Sequence, residues 1–150
     1  MSKHHTIISG TGRTGTTFLI QLFTLLGLDT GFSDLTSAVF SNCDAGMEWD
    51  IHKADAPYIV KSPWICDYLD EVIESTDIVI DNTIIQVRHL YSAAESRRDV
   101  ARRTDGTLFP GGIPGGLWHT DNPQQQEAVL GDQLYRIIFT IAKRDIPLTL

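Results

Sequence analysis

The sequence predicts an α/β fold: a three-layer α/β/α sandwich with a mostly parallel sheet of about four to five strands. Three observations predict it. A short apolar run at the amino terminus ends in a glycine-rich loop and passes straight into a helical apolar pattern. Strand-like apolar runs then alternate with helix-length stretches to the end of the chain. No repeat or linker divides the 150 residues, a length that suits one domain, 1–150, with its own core.

The elements follow in order. Ile7-Ile8 reads as a buried strand. Residues 15–27 read as a helix with Phe18, Leu19, Leu22, Leu25 and Leu26 on its inner side and Gly27 as the stop. Residues 28–55 are irregular and acidic, with a short helix expected near 34–41. Tyr58-Ile59-Val60-Lys61 is a strand closed by Ser62-Pro63, and 64–74 a helix with Ile65, Leu69, Val72 and Ile73 inward. Two further strands, 77–80 and 83–87, are separated by Asp81-Asn82; the second reads as central. A helix covers 89–103. Residues 105–122 form a Gly/Pro loop of the length that lids and binding loops have. A long helix starts at Asn122-Pro123, with proline at a favoured first-turn position, and runs to about Lys143. Ile146 to Leu150 begins another strand, so the chain reads as a short or truncated member of its class.

Charge narrows the function. The net charge is −7, and residues 29–81 hold twelve acids against two lysines. Five of the twelve cations, Arg88, Arg97, Arg98, Arg102 and Arg103, fall within 88–103. That balance disfavours nucleic acid and suits a small anion. For the four arginines after Arg88 the alternative is a solvated helix face, with Glu95 and Asp99 interleaved. No apolar run reaches the ~20 residues that span a bilayer, no signal peptide is evident, and the two cysteines read as unpaired thiols, so the expected location is the cytoplasm.

The opening loop carries the most chemistry. Gly10 and Gly15 have the spacing of the nucleotidase phosphate loop, G-x-x-x-x-G-K-S/T, in which backbone N–H groups and a helix N-terminus face an anion. Thr16 stands where the lysine should be, and the cation sits earlier, at Arg13. The loop thus keeps the cradle and moves the charge, which suggests a phosphate-type ligand other than the γ-phosphate of ATP. A second anion motif lies downstream. Ile84-Ile85-Gln86-Val87-Arg88 sets an arginine at the carboxyl end of a buried strand, the edge where open α/β sheets bind ligands, and Ser96 follows eight residues later. A guanidinium and a hydroxyl so placed can share one phosphate.

With both motifs present, the sequence resembles the sulfotransferases that use 3′-phosphoadenosine 5′-phosphosulfate (PAPS), a family with a P-loop NTPase-like fold. Their 5′-phosphosulfate loop, a basic residue followed by Ser or Thr, Gly, Thr, Thr, an aromatic and Leu, is matched by Arg13-Thr14-Gly15-Thr16-Thr17-Phe18-Leu19. Their 3′-phosphate motif, a strand-ending arginine and a serine eight residues on, is matched by Arg88 and Ser96. A strand ending in Lys and Ser or Thr is matched by Lys61-Ser62. The resemblance covers residues 5–100 well and 101–150 in outline. It implies that Gly12, Arg13, Thr14, Gly15, Thr16 and Thr17 hold the 5′-phosphosulfate. It implies further that Arg88 and Ser96 hold the 3′-phosphate, that Arg13 stabilises charge on the bridging oxygen as the sulfuryl group leaves, and that Lys61 is a catalytic candidate. The acceptor is then a small molecule or a carbohydrate bearing a hydroxyl or amine, and no metal is expected.

Two departures bear on catalysis. Cytosolic members place a histidine two residues after the strand-ending lysine, and here Pro63 occupies that position. The base must come from elsewhere: Glu48 is the first candidate, His52 the second and His119 the third. The Gly- and Lys-bearing carboxy-terminal element of cytosolic members is also missing. Two alternatives remain at this point, a P-loop kinase or NTPase using Asp81 as a Mg²⁺ ligand, and a non-catalytic nucleotide-binding remnant.

Overall fold

A computed structural model of the chain describes residues 2–36, 38–40, 44–103 and 115–150. The elements in chain order are β1 (Lys3–Gly10), α1 (Thr16–Leu25), β2 (Val39–Phe40), β3 (Ala45–Gly46), β4 (Ile59–Lys61), a 3₁₀ turn (Ile65–Asp67), α2 (Leu69–Glu74), β5 (Ile78–Gln86), α3 (Leu90–Arg103), a second 3₁₀ turn (Pro123–Gln125), α4 (Gln126–Lys143) and β6 (Leu148–Thr149). Four strands form one parallel sheet in the order β4-β1-β5-β6; β2 and β3 form a separate antiparallel pair. The fold is α/β, as the alternation of runs predicts.

β1 is central because it is apolar in both directions. Thr6 to Gly10 are all buried, the pattern of a strand covered on two faces. Ile7 packs with Val60, Ile85, Leu69, Val72, Ile137 and Ile141, under α2 and α4. Ile8, on the other face, packs with Ile20, Met47 and Ile59, under α1 and the β2–β3 hairpin. α3 meets α4 where Ala93 and Ala94 pack with Leu130, the two small alanine side chains letting the helices approach. Asn122 Oδ1 accepts from the Gln124 N–H at 3.0 Å, which caps the turn leading into α4.

Several elements differ from the sequence reading. β1 is longer than Ile7-Ile8. The expected strands 77–80 and 83–87 are one strand, β5: the register steps from His5↔Ile80 to Thr6↔Asn82, so Asp81 is the extra residue of a bulge rather than a turn. The described part of 34–41 holds bends and β2 in place of a helix, since Val39 and Phe40 pair with Gly46 and Ala45, and Val39 packs beside Met47. In 64–74 the α-helix starts only at Leu69, after the 3₁₀ turn. α1 turns a different face inward. Thr16 and Ile20 are its buried residues, whereas Phe18, Leu22, Leu25 and Leu26 are exposed. The helix is apolar nearly all round, so its facing is set by where the loop releases it and not by its own pattern. Residues 104–114 of the expected Gly/Pro loop, and Cys43, lie outside the described residues. Cys66 is partly buried, and burial pushes its thiol up to about 12. No helix among the described residues is long and apolar enough to cross a membrane.

Candidate functional site

The sheet order sets the site. From β1 the chain crosses to β4 on one side; from β5 it crosses to β6 on the other. The carboxyl ends of β1 and β5 therefore flank the point where the winding reverses, which leaves a crevice there in open α/β sheets. A cleft of about 640 Å³ opens at this edge. Gly12, Arg13, Gly15, Thr16, Thr17, Glu48, Lys61 and Arg88 line it, and so do Trp64, Trp118 and Arg97.

The glycine loop is shaped by left-handed backbone. Gly12 has φ 67°, Arg13 φ 57° and Gly15 φ 97°. Glycine takes such angles freely; for Arg13 they cost of order 1 kcal/mol. Gly15 caps α1 with no side-chain hydrogen bond. The first intrahelical bond runs from the Leu19 N–H to the Gly15 carbonyl, so the N–H groups of Thr16, Thr17 and Phe18 have no intrahelical acceptor. With the positive end of the helix dipole, they form an anion-facing terminus.

Two distant parts of the chain converge on Arg13. Its Nε donates to Ser96 Oγ at 3.0 Å, across 83 residues of sequence. Its carbonyl accepts from Arg88 Nη1 at 3.1 Å. The Arg88–Ser96 pair expected to close on one phosphate is thus arranged around Arg13, with Arg88 exposed and Ser96 half-buried. Thr14 Oγ1 is buried beside the loop without a hydrogen-bond partner, as is Gln86 Oε1 at the end of β5.

Lys61 and Glu48, read from the sequence as separate candidates, are one unit. Lys61 is 2% exposed. Its Nζ donates to Glu48 Oε1 at 2.8 Å, to Thr17 Oγ1 at 2.9 Å and to the Gly46 carbonyl. The ammonium therefore joins β4, β3 and the first turn of α1, and fixes the Glu48 carboxylate at the cleft. Glu48 itself keeps partial exposure.

The other base candidates lie elsewhere. His52 is outside the cleft lining, 3.0 Å from Asp50 Oδ1 and against the Tyr68 ring. The Asp50 carboxyl is held low chiefly by the hydrogen bond from the His52 backbone. His119 is exposed and 3.1 Å from Asp67 Oδ2. Asp81, the Mg²⁺ ligand of the kinase alternative, sits in the β5 bulge, 2.8 Å from His4 and away from the cleft lining. Among the described residues no three His, Cys, Asp or Glu side chains are grouped to hold a metal ion.

Arg97 is the functional candidate the sequence reading missed. It is buried, its Nη2 donates to the Thr11 carbonyl at 2.9 Å and its Nη1 to the Gly116 carbonyl at 2.8 Å. Its guanidinium lies 5.5 Å from the Trp118 ring centre, and Trp118 stacks on Trp64. The signal was present in its spacing: Ala93, Arg97 and Val100 fall at i, i+4 and i+7, on the buried stripe of α3. Arg102 and Arg103 do face solvent, and Arg98 is held by Glu95 at 2.6 Å and Glu127 at 3.3 Å.

Comparison of the chain with protein-family models, with curated protein sequences and with solved structures returned no match.

Proposed function

We propose that the chain is a sulfotransferase that moves a sulfuryl group from PAPS to a hydroxyl or amine of a small-molecule or carbohydrate acceptor, on a three-layer P-loop-like fold. The observation that carries this reading is the meeting of the two anion motifs: Arg13 of the glycine loop and Arg88 after β5 line one cleft and are joined by a hydrogen bond, and Ser96 of α3, just behind the lining, accepts from Arg13.

The donor set fits the group. A helix N-terminus, threonine hydroxyls and three arginines are the partners a phosphate or sulfate needs, and the buried Thr14 hydroxyl, which has no hydrogen-bond partner, lies in the loop. Gly12 to Thr17 would hold the 5′-phosphosulfate. Arg88 and Ser96 would hold the 3′-phosphate: Ser96 Oγ accepts from Arg13 and retains its own O–H to donate. When bound, the cofactor supplies an activated sulfuryl group.

The chain's own residues supply the rest. Arg13 places a fixed cation beside the helix terminus, where it stabilises negative charge without reorganising. Glu48 takes the proton of the acceptor hydroxyl or amine on its carboxylate. Lys61 aims that carboxylate into the cleft. Trp64, Leu117 and Trp118 give the cleft an apolar wall that excludes water from the transfer.

Calorimetric titration with 3′,5′-adenosine bisphosphate and, separately, with Mg-ATP tests the proposal. Metal-free binding of the bisphosphate together with weak binding of ATP is the expected result. The reverse preference overturns it in favour of a P-loop kinase or NTPase.

A further inference from the structure

We propose that Arg97 is a positioning residue of the anion site: its guanidinium sets the glycine loop in its binding shape and ties that loop to the aromatic wall of the cleft. The inference rests on the loop being an anion site, and it does not depend on which anion is bound.

The geometry is specific. Arg97 is 4% exposed, and its two terminal nitrogens hold two backbone carbonyls from distant parts of the chain, Thr11 in the loop and Gly116 beside Trp118. A trans peptide points its C=O and N–H in opposite directions. Holding the Thr11 carbonyl onto the guanidinium therefore aims the Gly12 N–H away from it. The fit at Gly12 is close: a methyl group there would lie 2.1 Å from Arg97 Nη2. The left-handed Gly12, which leads into Arg13, is thus braced by one side chain.

The charge of Arg97 points the same way. Arg97 Nε has no hydrogen-bond partner. Among the described residues no Asp or Glu pairs with Arg97, and its strongest electrostatic neighbour is another cation, Arg13. Burial, with Arg13 beside it, pulls the guanidinium down to about 10, so it stays charged at neutral pH. A buried cation held only by carbonyls and a ring face, with no counter-charge, is costly. A structural strut would be cheaper as a neutral donor; a cation under a phosphate-type loop is repaid when an anion binds. Arg98, one residue on, makes the contrast, because two carboxylates and a carbonyl satisfy it.

The test uses the full chain and inorganic pyrophosphate as the probe, with thermal unfolding recorded alongside. Arg97→Lys retains the charge but presents a single ammonium instead of the fork that spans both carbonyls. Arg97→Ala leaves a hole that a free guanidinium ion can enter. We expect pyrophosphate affinity to fall about tenfold or more in Arg97→Lys and further in Arg97→Ala. Millimolar guanidinium should recover part of the loss in Arg97→Ala and none in Arg98→Ala, while both Arg97 variants remain folded at the assay temperature. Affinity equal to that of the unaltered chain in both Arg97 variants overturns the inference. So does a loss that tracks only the unfolded fraction, or one that guanidinium does not recover. If the unaltered chain binds pyrophosphate but not adenosine bisphosphate, the PAPS reading fails and Arg97 is still tested. If it binds neither, both readings fall together.

Discussion

The two ends of the sheet treat polar side chains in opposite ways. At the amino end, charges satisfy one another near solvent: Asp81 accepts from His4 at 2.8 Å and from Tyr58 at 3.1 Å, and Lys3 donates to the Ala54 carbonyl at 2.8 Å. At the carboxyl end, Lys61 and Arg97 are buried cations, and the donor-capable Thr14 Oγ1 and Arg97 Nε are buried without partners. One end is neutralised by its own residues, apart from the unpartnered His5 Nε2. The other is left with donors in excess, as an anion site requires. Burial and the identity of the partner, more than the residue type, separate the structural cations from the poised ones.

The largest expected effect breaks the carboxyl end at its most buried charge. Lys61→Met leaves Glu48 without its cation and strips a donor from the Gly46 carbonyl. Removal of one partner from a buried pair costs about 3–5 kcal/mol, and the partial exposure of Glu48 places this case near the lower figure, about 3 kcal/mol. Denaturant unfolding measures it. The double variant with Glu48→Gln should lose less than Lys61→Met alone, since it leaves no stranded carboxylate. A loss under about 1 kcal/mol would show that the pair is not an anchor.

Next comes a change in binding with little change in stability. Arg88 is exposed and makes one contact to the loop, the Arg13 carbonyl. Arg88→Ala should weaken adenosine bisphosphate binding by roughly 1.5–3 kcal/mol, the scale of hydrogen bonds to a charged group, with unfolding nearly unaltered. Calorimetry that finds equal affinity would remove Arg88 from the 3′-phosphate site. Gly12→Ala is smaller, about 1–2 kcal/mol of stability, since it forces a side chain into left-handed backbone and against the Arg97 guanidinium. A chain as stable as the unaltered one would mean that the loop is not braced there.

Local signals placed most of the elements, and long-range contacts decided the rest. β1, α1, β4, α3 and α4 were legible because each carries its own periodicity and punctuation: Gly10 and Gly15 around the loop, Pro123 at the start of the last helix. The facing of α1 was not, because a helix apolar on nearly every side presents no preferred stripe. The continuity of β5 was hidden by Asp81-Asn82, which reads as a turn until β1 pairs on both sides of it and turns it into a bulge. At the site, the glycine loop, Arg88, Glu48 and Lys61 were each legible as residues. That Lys61 and Glu48 bond each other, or that Ser96 faces Arg13, depends on strand order, which no local window contains. Arg97 was masked by its neighbours, since it looks like one more cation in a run of four.

The smallest effect belongs to the amino end, and it sharpens the comparison. The hydrogen bond from His4, with that from Tyr58, holds the Asp81 carboxyl below its ordinary value of 3.8. A carboxylate with a depressed folded-state value stabilises the fold above the unfolded value and loses that contribution as pH falls through the depressed one. Asp81→Asn should therefore lower the unfolding temperature slightly at neutral pH, and the gap should close as the solution is acidified below 3.8. Because the bulge lies four register steps before the Gly10↔Gln86 pair at the cleft, adenosine bisphosphate binding should be unaltered. A marked loss of nucleotide binding in Asp81→Asn would join the two ends of the sheet and return Asp81 to consideration as a cation ligand. Unaltered binding leaves the carboxyl end to work alone, with its excess of donors built from the glycine loop and its arginines.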